Sequence, residues 1–263
     1  MLRRPLYFWI LLALLLILPA ALWFCGRFGL DPFTISPDHG FEQPTREAIL
    51  GRDQLGRDLL ARLTLGTGTS ILAATMALAV ALTLALITGI VAGMSEGTWP
   101  DALLGFLKSL LFTVPFFLIA VSIAAVMQPG LFGIYVIVGA VMWAPAASLV
   151  RTETIRLRAS RSVTVARAYG MSSSFIFLRY ILPQCIAPPA IALLFLLPEL
   201  LGLDVGLSFF GLGATPPNPS LGRLVFDGTV SFSSAWWLLV WPTTVLAGVC
   251  LSVYAVASRL SRL

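Results

Sequence analysis

Few residues in this sequence could do chemistry, and Glu199 is the most informative of them. It lies in the run LLPELLG and is the only acidic residue of an apolar stretch, residues 186–203. A carboxylate inside a membrane is costly and is typical of an ion or substrate path. Pro198 favours a kink that opens the acid to water. The alternative is that Glu199 lies near the outer end of its helix and reaches interfacial water.

The sequence lacks the motifs of the common catalytic sites. Lys108 is the only lysine and follows no glycine-rich run, so there is no GxxxxGK[ST] phosphate loop. His39 is the only histidine, which excludes an HExxH zinc site and a histidine-based triad. We expect no metal site, no cofactor bound by this chain and no enzyme activity of its own. The cysteines form neither a disulfide framework nor a CxxC pair: Cys25, Cys185 and Cys250.

The composition predicts a membrane protein. Of the 263 residues, 58% are hydrophobic and 11% are charged, whereas soluble domains carry about 25% charged residues. The expected fold class is an all-α integral membrane protein with six transmembrane helices. Six apolar stretches are long enough to cross a bilayer: residues 5–25, 67–93, 109–127, 131–150, 186–203 and 235–258.

The basic residues predict the orientation of these helices. Most of them fall on the side that holds the N-terminus, so both termini are expected to be cytoplasmic. Because the arginines sort by membrane side and form no single patch, no nucleic-acid partner is expected. Arg3 and Arg4 also suit a signal peptide. However, the first apolar run is long and lacks a convincing cleavage site, which favours a retained helix.

The predicted spans and loops indicate one membrane domain with two parts. Residues 1–66 hold the first helix and an outer amphipathic segment. Residues 67–263 hold a five-helix core, with a cytoplasmic loop at residues 151–184 and an outer loop at residues 204–234.

The outer segment is predicted to be a helix that lies on the membrane surface. Asp53 precedes Arg57 by four residues, and Asp58 precedes Arg62 by the same spacing, so two ion pairs within one helix are expected. Leucines that recur every four residues form its apolar stripe.

The basic cytoplasmic loop contains a predicted elbow, residues 160–183. Residues 163–169 suit a short helix, and Gly170 follows where a helix end favours left-handed backbone. The next serines can cap a second helix, residues 175–181, which Pro183 is predicted to end. Such a compact unit fits a groove on a partner, while the loop arginines contact the headgroups of membrane lipid.

The elbow resembles the coupling loop of ABC importer permeases, whose pattern is EAA, three residues, G and a later hydrophobic-x-LP ending. Thr164 replaces the acidic residue of that pattern, and Val165 replaces its first alanine. The resemblance implies contact with an ATPase subunit. The residues expected to make it are Arg161, Thr164, Ala166, Tyr169, Gly170, Leu182 and Pro183.

Two flanking motifs narrow the resemblance to the dipeptide, oligopeptide and nickel branch, and to its second, C-type permease. Residues 50–71 resemble the stretch before the second span in that branch. Residues 207–213 and 216–223 resemble its LSFLGLG and PPxPxWGR signature. Leu221 replaces the usual tryptophan, and Asp204 stands where glutamate is common. The cytoplasmic tail usual in the branch is absent.

The resemblance implies a permease subunit that forms half of the pore of an ATP-driven importer of small peptides. Its implied location is the bacterial inner membrane. The implied partners are a homologous second permease, two ATP-binding subunits that use ATP and Mg²⁺, and an extracytoplasmic substrate-binding protein. The residues expected along the translocation path are Glu199, Asp204, Ser208, Phe209, Gly211 and Gly213.

Two alternatives stay open. The same branch handles nickel and metal complexes of opine-like chelators, so such a metal is the second expected substrate. The second alternative is that the chain is an ion-coupled secondary transporter with Glu199 as its ion site. An intramembrane enzyme is disfavoured, because no apolar stretch holds a histidine or a pair of carboxylates.

Overall fold

The computed structural model describes residues 20–22, 24–25, 27–127 and 130–261. The regular structure of these residues is helical apart from one isolated β-bridge between Arg52 and Asp58. The helices are α1 (Leu59–Met94), α2 (Trp99–Thr113), α3 (Phe116–Met127), α4 (Gly130–Gly139), α5 (Trp143–Arg158), α6 (Arg161–Ala168), α7 (Ser173–Ile176), α8 (Leu182–Cys185), α9 (Ala187–Leu194), α10 (Leu197–Phe209), α11 (Leu221–Val230) and α12 (Trp237–Ser261).

Among the described residues, four continuous stretches are long and apolar enough to cross a membrane. They are Leu59–Met94, Gly130–Arg158, Ser173–Leu194 and Trp237–Ser261, and the pair α2 and α3 makes a fifth if it counts as one span. The all-helical membrane fold is therefore confirmed. Most of the first predicted span, residues 5–19, lies outside the described residues, so the count of six and the orientation stay predictions.

The third predicted span, residues 109–127, is not one straight helix. Helices α2 and α3 meet at an angle of 80°. Val114 is extended there, with φ −103° and ψ 124°, because the ring of Pro115 disfavours helical backbone in the residue before it. Pro115 also lacks the N–H that would continue the ladder of hydrogen bonds.

Pro183 does not end the second elbow helix, contrary to the sequence prediction. The helical path runs on from Ser173 to Leu194. Residues Phe177–Ile181 form a π-helical turn in which the Leu182 N–H donates to the Phe177 carbonyl, five residues back. This wider turn accommodates a proline that offers no N–H and crowds the preceding turn. The elbow is therefore rigidly joined to the span that follows it.

The surface helix predicted within residues 50–71 is also wrong. Helix α1 begins at Leu59 and continues directly into the membrane, while the residues before it form a folded loop. Asp58 caps α1, since its Oδ1 accepts a hydrogen bond from the Ala61 N–H at 2.8 Å. The predicted Asp53–Arg57 pair is present at 2.7 Å. Arg62 instead pairs with Asp53 at 3.3 Å.

The core of the bundle is the close contact between α1 and α5. Gly89 and Gly93 of α1 face α5, and a Cβ at Gly89 would lie 2.5 Å from the Cβ of Val150. A Cβ at Gly93 would lie 2.6 Å from that of Thr154. Small residues at these positions let the two backbones approach, which favours helix association inside a membrane. Helix α5 carries the elbow at its C-terminal end.

Candidate functional site

The elbow is a short helix closed by Gly170. Gly170 has φ +75°. Its N–H donates to the Arg167 carbonyl at 2.9 Å, and the Met171 N–H donates to the Ala166 carbonyl at 3.1 Å. This pair of bonds is the Schellman motif, which satisfies the last carbonyls of α6. Ser172 then caps α7 by accepting from the Phe175 N–H at 3.3 Å. The turn predicted at Gly170 is confirmed.

One face of the elbow is anchored in the protein. Val163, Ala166 and Ile176 are buried in an apolar cluster with Val150 and Leu157 of α5. Ala166, which the motif suggested as a contact with a partner, therefore packs inward. The base of the elbow and the last turns of α5 therefore share one apolar core.

The other face of the elbow is exposed. The Tyr169 side chain is 81% exposed and stands at the tip, next to Gly170. Thr164 is exposed and donates from its hydroxyl to the Ser160 carbonyl at 3.2 Å, so it is satisfied within its own helix. Arg161 is exposed as well, while Leu182 and Pro183 are half-buried where the elbow joins the next span. Exposed aromatic side chains on a rigid support are typical anchors of protein interfaces.

A bidentate ion pair, not predicted from the sequence, ties α5 to α2. The Arg151 Nε lies 2.6 Å from Asp101 Oδ1, and its Nη2 lies 2.7 Å from Oδ2. At the last residue of α5, Arg158 donates to the carbonyls of Gly93 and Met94 at 2.7 and 3.0 Å and so caps the end of α1. Helix α5, which carries the elbow, is therefore bonded to both α2 and α1.

Asp204 is the centre of a buried network at the opposite end of the bundle. Its side chain is 0% exposed. Oδ2 accepts from the Ser70 hydroxyl and the Gly222 N–H, both at 2.9 Å, and Oδ1 accepts from the Ser220 hydroxyl at 3.1 Å. Ser70 in turn accepts from the Leu221 N–H at 2.9 Å. The network joins α1, α10 and the start of α11.

Charged side chains surround this end of α1 and α11. Arg57 and Arg62 both contact Asp53, at 2.7 and 3.3 Å. On α11, Arg223 pairs with Asp227 at 2.9 Å. Burial raises the pKa of Asp227, and the charge of Arg223 opposes that rise. The Asp53–Arg62 pair holds the loop before α1 against the first turn of α1, and the Arg223–Asp227 pair lies within α11.

The residues expected along the path fall into two groups. Asp204 and Ser208 are buried, and the Ser208 hydroxyl donates to the Asp204 carbonyl at 2.8 Å, so both serve the network. Phe209 is half-exposed at the end of α10 and packs edge-on against Phe226, with ring centroids 5.3 Å apart. Gly211 closes α10 with φ +73°. Gly213 lies against Ser208, and a Cβ there would meet it.

Glu199 stands apart from these residues. It is exposed in the first turn of α10 and lines a groove beside the bend between α2 and α3. Its place on a translocation path, like that of the others, stays a prediction.

Comparison with known proteins identifies the family. The family model described as "Binding-protein-dependent transport system inner membrane component" matches residues 85–263. The chain belongs to this family. The permease is therefore a multi-pass protein of the bacterial inner membrane and the membrane component of an ABC transporter, whose ATPase activity lies in other subunits.

Curated relatives match over most of the permease. A protein of Brucella suis biovar 1 named for a peptide transport system is 30% identical over 260 residues, 98% of this chain and 84% of that protein. The dipeptide transport system permease protein DppC of Alkalihalophilus pseudofirmus is 28% identical, over 79% of this chain and 68% of its own. The oligopeptide transport system permease protein OppC of Escherichia coli K12 is 32% identical, over 74% and 65%.

Proposed function

We propose that this permease is one of two homologous membrane subunits of an ATP-driven peptide importer. Two ATP-binding subunits, which use ATP and Mg²⁺, and an extracytoplasmic binding protein complete the assembly. Six spans with both termini in the cytoplasm place the elbow on the side where the ATP-binding subunits work. The segment before α1 and the α10–α11 end then face the binding protein.

The elbow is the observation that carries this proposal. Its exposed tip at Tyr169 and Gly170 provides a docking surface, and its buried base links that surface to α5. A displacement of the tip is therefore passed to α5 rather than absorbed by a flexible loop. Arg151 transmits this displacement to α2 through its ion pair with Asp101. Arg158 transmits it to α1 through its hydrogen bond to the Gly93 carbonyl.

The proposed cycle is alternating access. Closure of the ATP-binding subunits pushes the elbow, and the bundle changes between states open to either side of the membrane. This requires two discrete arrangements of rigid helices that nucleotide biases. It requires no reacting group in this chain.

Peptide is the proposed substrate because the relatives are named for peptide, dipeptide and oligopeptide transport. Nickel or a metal chelate, handled by the same branch, is the alternative cargo. In either case the role of the permease subunit is the same.

Purification of the tagged chain from its native membranes in mild detergent tests the proposal. We expect a second permease and P-loop subunits to co-purify, and the sample to hydrolyse ATP. Reconstituted with the binding protein, it should accumulate short peptides in vesicles only when ATP is supplied. Accumulation of nickel but no peptide would correct the substrate. A chain that purifies alone and transports without ATP would contradict the proposal and favour an ion-coupled transporter.

A further inference from the structure

A groove of about 260 Å³ opens where three breaks in the helical bundle meet. They are the bend between α2 and α3, the junction of α4 and α5, and the first turn of α10. Its volume is just below the roughly 300–1,000 Å³ of sites that enclose whole small molecules, so it suits one end of a ligand. The lining residues are Leu111, Phe112, Val114, Pro115, Phe116, Val141, Met142, Ala144, Pro145, Leu196 and Glu199.

Glu199 is the only ionisable residue among those that line the groove. Within the described part of the chain, its carboxylate takes part in no ion pair. It lies in the first turn of the 13-residue helix α10, where the helix dipole favours a negative charge. The groove therefore presents one carboxyl group on otherwise apolar walls.

The ligand chemistry of this groove favours an ammonium group over a metal ion. Divalent metals require several oxygen, nitrogen or sulfur side-chain ligands, and the lining provides one carboxylate. An ammonium group needs only one carboxylate, with water on its remaining hydrogens. Phe112 and Phe116 line the same groove, and an aromatic ring attracts a cation that lies over its face.

We propose that this groove binds the protonated amino terminus of a peptide on its way through the pore. Glu199 pairs with the ammonium group, and the apolar walls accept the side chain next to it. The inference rests on the proposed function, because it assumes that peptides pass this chain. An exposed ion pair is weak, which suits a site that must release its cargo as readily as it binds it.

The test is uptake by the complete transporter in vesicles, with the binding protein present. The probe is a mixture of di- and tripeptides in which each sequence occurs with a free and with an acetylated amino terminus. The amount of each peptide inside the vesicles is measured by mass spectrometry and divided by the ATP hydrolysed. Four variants are compared with the unmodified protein: Glu199→Gln, Glu199→Asp, Glu199→Lys and the control Glu96→Gln, which removes an exposed acid between α1 and α2.

We expect Glu199→Gln to lower the uptake of free-amine peptides per ATP by about fivefold, the size expected for an exposed ion pair. Glu199→Lys should lower it further. Glu199→Asp and Glu96→Gln should stay within about twofold of the unmodified protein. ATP hydrolysis of the Glu96→Gln control should equal that of the unmodified protein, and co-purification of the ATP-binding subunits with every variant shows that each complex is folded and assembled.

Uptake of free-amine peptides that is unchanged in both Glu199→Gln and Glu199→Lys would overturn the inference and leave the proposed function intact. If the unmodified transporter accumulates no peptide of either kind, the proposed function fails and the inference falls with it.

Discussion

Arg151 and Asp101 lie 50 residues apart in the sequence and form a bidentate ion pair between α5 and α2, with N–O distances of 2.6 and 2.7 Å. Asp101 lies in the first turn of α2, and Arg151 lies two turns before the end of α5. The pair fixes the start of α2 to the helix that carries the elbow. It therefore links the elbow to the bend between α2 and α3, beside the Glu199 groove.

Breaking this pair should separate ATP hydrolysis from transport. Lysine cannot reproduce the two parallel bonds of a guanidinium, so Arg151→Lys should lower peptide uptake per ATP by a few fold while the complex still assembles. Arg156→Lys is the matched control, because Arg156 pairs with Glu153 on the same helix at the surface, 63% exposed. The measurement is peptide uptake into vesicles, with ATP hydrolysis recorded in parallel. Equal loss in both variants would contradict a role for the Arg151–Asp101 pair.

The Asp204 network should dominate the stability of the end of the bundle opposite the elbow. Asp204→Ala leaves the buried hydroxyls of Ser70 and Ser220 and the Gly222 N–H without their acceptor, a loss of about 3 kcal/mol or more. Asp204→Asn should cost less, because its carbonyl can still accept from Ser70 and Gly222 while its amide donates to Ser220. The thermal unfolding of the purified protein checks this order.

Asp38→Ala is the control for that measurement, since Asp38 is exposed in the loop before α1. It should unfold at the same temperature as the unmodified protein. An Asp204→Ala variant as stable as the control would show that the network is not needed.

Gly170→Val should uncouple the ATP-binding subunits from the permease. The open space around Gly170 would admit a side chain, but its φ of +75° disfavours a β-branched residue. Gly130 also has a positive φ, +70°, and open surroundings at the start of α4, so Gly130→Val imposes a similar strain away from the elbow. Only Gly170→Val should lower ATP-driven uptake. Gly170→Asn should retain more activity, because asparagine tolerates this conformation.

Tyr169→Ala should weaken the attachment of the ATP-binding subunits. Truncation of a central aromatic anchor at an interface costs about 2 kcal/mol or more, roughly 30-fold in affinity. Tyr169→Phe keeps the ring and should bind within a few fold of the unmodified protein. Titration of purified ATP-binding subunits onto the permease measures both. Unchanged affinity for Tyr169→Ala would exclude this side chain as an anchor.

Local patterns predicted the fold class and the tip of the elbow. Six apolar runs indicated helices, and five of them fall on helices in the described residues. Gly170 and the following serines indicated the turn, because a helix end needs left-handed backbone and a cap, and both signals lie within a few residues.

The wrong predictions involved choices that local sequence does not settle. Pro183 was expected to end a helix, but a π-helical turn accommodates it within one. Asp58 was expected to pair with Arg62, but it caps α1 instead, and Arg62 finds Asp53. A carboxylate just before a helix can either cap the helix or pair with an arginine. The tertiary packing around it determines which of the two forms.

Long-range contacts could not be predicted at all. The Arg151–Asp101 pair and the Ser70–Asp204 bond, 134 residues apart, exist only once the helices are assembled. Asp204 was expected on the path because of its motif, and its burial has no signal in a single sequence. The sequence marks Glu199 as the one acid of an apolar stretch, but the groove beside it depends on the bend at Pro115.

Contact between the tip of the elbow and an ATP-binding subunit is the step on which the proposed coupling depends most. A photo-reactive phenylalanine analogue placed at Tyr169 in the complete transporter tests this in one step, with Tyr254 on α12 as an equally aromatic, exposed control position. Irradiation should join position 169, and not position 254, to a protein that contains a phosphate-binding loop. Cross-links from position 169 to lipid alone would contradict the account.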